Sequence, residues 1–93
     1  MATHHMTTTQ KNAALKAFMR VVQHNRSWAE LARGLSRIGP TTIDRQGVWN
    51  WYHRDRYIPA EWVHSVVELS GGLVAKEELR PDVYRPQDAA DGG

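Results

Sequence analysis

The sequence predicts an all-α domain of four main helices and a short terminal helical turn, with a helix-turn-helix at its centre. Three observations lead there. Apolar residues recur at three- and four-residue spacing along most of the chain, and no segment alternates long enough to build a sheet. Ser27 and Asp44 are two independent helix start signals, and Gly-Pro and Gly-Gly pairs stand where helices would have to stop. No internal repeat is present.

The first helix is expected from about Gln10 to Gln23, with Leu15, Phe18, Met19 and Val22 along one side. His24, Asn25 and Arg26 connect it to Ser27, the N-cap of the second helix, where Glu30 three residues later completes the pattern of a capping box. Ala29, Ala32 and Leu35, with Leu31 beside them, give that helix its apolar side. Gly39 and Pro40 end it. The third helix opens at Asp44, with Ile43 and Val48 placed to form a hydrophobic staple, and buries a narrow stripe of Val48, Trp51 and Tyr52. A fourth begins near Pro59, which suits a first-turn position, has Glu61 near the positive end of its dipole, and ends at Gly71 and Gly72. Trp62, Val63, Val66 and Leu69 form its buried side. The last turn, Lys76 to Leu79, must stop because Pro81 disfavours helical geometry at Arg80. Leu79, Val83 and Tyr84 are expected to lie back on the core, and Asp82 to pair with a nearby arginine.

Three segments follow: a disordered stretch over 1–9, rich in Thr and His, a helix-turn-helix domain over 10–84, and a tail over 85–93 with nothing to bury. Ninety-three residues suit one domain with a modest core. The chain contains no cysteine, which excludes disulfides, thiolate metal sites and cysteine nucleophiles together. No apolar run reaches the length of a membrane span and the N-terminus lacks a signal-peptide core, so the expectation is a soluble, cytoplasmic protein with no membrane partner. The formal charge of +2 conceals an asymmetry. Residues 10–58 hold nine Lys and Arg against three acids, and residues 59–93 hold three against seven. A basic segment that coincides with the helix-turn-helix supplies attraction for phosphates.

The third helix carries the chemistry. At 3.6 residues per turn Arg45, Gln46, Trp49, Asn50 and His53 share the face opposite the buried stripe. Arg pairs bidentately with guanine, and Gln or Asn with adenine, whereas an ordinary solvated face carries Glu and Lys pairs. Arg45, Gln46, Trp49 and Asn50 are therefore the expected base-contacting residues. Trp49 has two readings, packing on thymine methyls or tucking against a neighbouring helix or a dimer mate. Ser27, Trp28, Arg37, Thr41, Thr42, His53, Arg54 and Arg56 are the expected contacts to the DNA backbone, although a plain cap is the simpler role for Ser27. The spacing from Ala32 to Val48 is sixteen residues, wider than a motif with a turn of about three to four residues. Extending the second helix to Ile38 and widening the turn through Gly39, Pro40, Thr41 and Thr42 absorbs the excess.

Catalysis finds no support: His24, His53 and His64 lack a carboxylate at dyad spacing, and no Gly-rich loop is present. His64 and Glu68 are too little for a metal site, and no cofactor is expected. The competing reading is an antitoxin-like or adaptor module that binds a partner protein through Trp49 and the acidic C-terminal half. A homodimer would suit DNA binding, but no heptad seam nominates a pairing surface.

Three blocks, Gln46-Gly47-Val48-Trp49-Asn50-Trp51, Ile58-Pro59-Ala60-Glu61-Trp62-Val63, and Gly71-Gly72 followed by Leu79-Arg80-Pro81-Asp82-Val83-Tyr84, resemble in order and spacing the YdaS-like and Cro-like phage regulators. The resemblance covers about Leu15 to Tyr84. It implies a λ-repressor-like domain of four to five helices, a transcriptional repressor of phage or prophage origin that binds a double-stranded operator, and a helix around Arg45 to Arg54 in the major groove. Some members of the family are antitoxin-like partners of a neighbouring gene product.

Overall fold

The computed structural model describes residues 6–84. The described chain is all-helical: α1 Thr8–His24, α2 Trp28–Ile38, α3 Arg45–Asn50, a π turn Trp51–Asp55, a 3-10 turn Ala60–Trp62, α4 Val63–Leu69 and α5 Lys76–Leu79. Residues 1–5 and the tail expected over 85–93 lie outside the described residues.

The helix α1 starts at Thr8, two residues before the apolar pattern places it. Thr7 explains the difference. Its hydroxyl accepts from the Gln10 backbone N–H at 3.1 Å, and its own N–H donates to the Gln10 side chain at 2.9 Å, a complete capping box. The segment expected to be disordered over 1–9 therefore ends inside a capped helix. Ser27 caps α2 by accepting from the Glu30 N–H at 3.1 Å, but the Glu30 carboxylate turns to Arg33 at 2.7 Å, so only half of the expected box forms. Ala29, expected on the buried side, is exposed; Leu31, Ala32, Gly34 and Leu35 are buried instead. Asp44 caps α3, accepting from the Gly47 N–H at 2.8 Å. The helix expected to open near Pro59 first takes a 3-10 turn and becomes α-helical only at Val63.

Phe18 and Val21 from α1, Leu31 and Leu35 from α2, Val48 and Trp51 from the third-helix segment, Ile58, Val63 and Val66, and Leu79 from α5 make one continuous core. Two glycines are fixed by their neighbours. Gly71 adopts φ +65°, and a β-carbon there would fall 2.6 Å from His24 Nε2. At Gly39 a β-carbon would lie 2.3 Å from the Trp62 ring, so the end of α2 meets that indole only with hydrogen in place.

The wide turn between α2 and α3 is closed by a device the spacing does not suggest. Ser36 Oγ donates to the Ile43 carbonyl at 2.8 Å and accepts from the Ile43 N–H at 2.9 Å, so one hydroxyl satisfies both backbone groups of a residue seven positions on. This clasp delivers Asp44 to its capping position without a tight turn. Ser36→Ala should remove both bonds and destabilise the domain by about 1–2 kcal/mol, read from urea unfolding of the full chain. A loss below about 0.5 kcal/mol would mean that water substitutes for the hydroxyl.

Candidate functional site

Arg45 and Gln46 occupy the first turn of α3 and are exposed. Arg45 makes no hydrogen bond or ion pair among the described residues. Gln46 Nε2 donates to Asn50 Oδ1 at 3.0 Å, joining two amides one turn apart, and Asn50 is half-buried.

The helix does not continue regularly as far as Arg54. After Asn50 the backbone widens into a π turn: the Arg56 N–H reaches back to the Trp51 carbonyl, and the Tyr57 N–H meets the same oxygen at 3.1 Å. Arg56 ends the segment in the left-handed region at φ +65°. His53 falls within this wider turn, stays exposed, and joins an aromatic cluster. Its imidazole stacks on Trp49, with centroids 4.1 Å apart and planes inclined by 23°. Tyr52 and Trp28 meet the same ring at 4.8 and 5.9 Å. Trp28 also packs on Phe18 at 6.2 Å, and Phe18 on Trp51 at 6.0 Å, so the cluster is continuous with the core. Trp49 is half-buried, stacked against His53 of its own segment.

The remaining expected contacts separate into free and engaged groups. Arg37, Thr41 and Thr42 are exposed around the turn, and Arg37 has no partner among the described residues. Ser27 is occupied as a cap, and Trp28 is half-buried in the aromatic cluster. Arg54 Nε donates to Asp55 Oδ1 at 2.9 Å; that hydrogen bond and the adjacent negative charge raise the arginine pKa further above its ordinary value. Arg56 donates to the Tyr52 carbonyl at 3.0 Å while its guanidinium lies 5.7 Å over the Tyr52 ring. Elsewhere Arg20 pairs with Glu78 at 3.1 Å, so part of the basic charge counted along the chain is neutralised by the acidic half. Sequence reasoning missed the hold of Asp55 on Arg54, because adjacent residues on a regular helix point apart and only the altered turn brings them together.

Among the described residues no group of three His, Asp or Glu is placed to hold a metal ion, and no helix is long and apolar enough to cross a membrane.

These features define a small helix-turn-helix protein whose second motif helix exposes arginine and paired amides. A protein-family model described as Bacterial toxin YdaS matches residues 22–88, most of the chain. The chain belongs to that family, a helix-turn-helix family of small phage-type regulators and toxin-antitoxin proteins. Comparison with curated proteins and with solved structures returned no match.

Proposed function

We propose that this protein is a sequence-specific duplex DNA-binding regulator, a repressor of the Cro type, that reads the major groove with the segment from Arg45 to Arg54. One observation carries the reading: on the first two turns of a capped helix, an unpartnered Arg45 and the hydrogen-bonded amides of Gln46 and Asn50 share an outward surface. A guanidinium and carboxamides are the groups that form bidentate pairs with guanine and adenine edges. The first turn of the second motif helix is where such contacts are made in helix-turn-helix complexes. Phosphate contacts fall to Arg37, Thr41 and Thr42 from the turn and to Arg54 and Arg56 from the far end.

The test is selection from a random duplex pool with the full chain, followed by binding of the enriched sequence and a scrambled control. Arg45→Ala with Gln46→Ala should lower affinity for the enriched sequence by about 10- to 1,000-fold while leaving binding of the control within a few-fold. A pool that enriches nothing with folded protein would transfer the assignment to the partner-protein module, with Trp49 and the acidic C-terminal half as its contact.

A further inference from the structure

We infer that Asn50 is a positioning residue rather than a base reader: it holds the Gln46 carboxamide so that Gln46 alone reads one base, an adenine. The inference rests on the DNA-binding reading above and names the base that its central amide takes.

An amide nitrogen carries two hydrogens, and Gln46 commits one of them to Asn50 Oδ1. The second hydrogen and the free Oε1 remain. Those two groups are what an adenine requires in the major groove, a donor toward N7 and an acceptor for the N6 amino hydrogens. With the hydrogen trans to Oε1 given to Asn50, the hydrogen on the Oε1 edge stays free for the base, and the link removes rotational freedom from a long side chain before the base arrives. The same link argues against an independent role for Asn50. Its oxygen already accepts from Gln46 and keeps one lone pair, so a bidentate adenine contact by Asn50 would have to share that oxygen between the base and Gln46. Asn50 is also the more buried of the two, one turn behind an exposed Gln46. A guanine under Gln46 would present acceptors at both N7 and O6, and its O6 would face the Gln46 oxygen with no donor between them.

The experiment is pool selection with the full chain in five forms: the unaltered protein, Q46A, N50A, N50D and the double variant Q46A/N50A. Affinities are then measured for the enriched duplex and for duplexes altered at single positions. Helical circular dichroism is recorded for each protein. Asn50→Asp retains an oxygen acceptor for Gln46 and removes the donors, so it restores the positioning bond and abolishes any base contact made by the Asn50 amide.

The expected result is one adenine column whose preference drops by about tenfold in Q46A and by a smaller factor in N50A. No second column should change in N50A, the double variant should discriminate no worse than Q46A alone, and N50D should regain the adenine preference lost in N50A. Loss of a different base column in N50A, or additive losses in the double variant, would overturn the positioning role while leaving sequence-specific binding intact. A guanine at the Gln46 column would overturn the adenine assignment. A folded protein that enriches no sequence would overturn this inference together with the DNA-binding reading.

Discussion

Asp82→Ala should cost the domain about 3–5 kcal/mol. Asp82 grips Arg80 with both oxygens, at 2.9 Å from Nε and 2.8 Å from Nη2, and the two side chains are 3% and 12% exposed. The same guanidinium donates to the Ile58 carbonyl at 2.9 Å and lies 5.3 Å over the Tyr57 ring. One arginine thus ties the chain after α5 to the segment between the π turn and α4. A buried ion pair contributes little net stability compared with apolar residues, but removing Asp82 leaves a largely buried guanidinium without its counterion.

A domain of this length has total stability of roughly 5–14 kcal/mol, so the loss should lower Tm by about 15–30 °C. Trp fluorescence during urea unfolding reads it. The bond to Asp82 raises the Arg80 pKa above its ordinary value. The stabilisation from a raised cation is present below the unfolded-state pKa and is lost only as pH rises through the folded one, so on the arginine side the clasp holds across the neutral range. A loss under about 1 kcal/mol would show that Arg80 simply turns outward when Asp82 is removed.

That the sequence points to this clasp, and to the helix starts, has a common cause. Ser27, Asp44 and Asp82 each act on groups two or three residues away, and such short links are decided by local chain geometry. Trp51 and Trp62 were placed in the core by spacing, and both are 5% exposed or less. The end of α2 at Ile38 and the wide turn before Asp44 also follow from Gly39, Pro40 and the cap. What escapes is whatever distant contacts decide. The π turn begins at Trp51, which packs between Phe18 and Trp62 with ring centroids at 6.0 and 5.5 Å, and no periodicity in the residues 51–55 announces it. Ser36 reads only as a small polar residue until Ile43 is folded against it. At the site, the exposed positions of Arg45 and Gln46 and the shared face of Trp49 and His53 were legible from the 3.6-residue period, whereas the ring contacts of Tyr52 and Trp28 with His53 were not, because they depend on how distant segments pack.

If the protein binds duplex DNA, its affinity should fall steeply with salt, and the slope will count the phosphate contacts. Arg37, Arg54 and Arg56 are the cations that the turn and the far end of the third-helix segment can present to phosphates. Three contacts give a slope of about −2.7 in log affinity against log salt, or a loss of roughly 40-fold between 50 and 200 mM. The pairing of Arg54 with Asp55 makes the count informative. If that ion pair persists in the complex, Arg54 releases no counterion, the slope falls to about −1.8, and the loss over the same range is nearer 12-fold. Asp55→Asn frees the guanidinium, so the variant should bind more tightly at low salt and show a slope steeper by about one. An Arg54→Ala variant should then be indifferent to the residue at position 55. A slope shallower than −1 in the unaltered protein would mean that phosphates are not its partner, since a helix-turn-helix cannot hold duplex DNA without displacing the ions condensed on it.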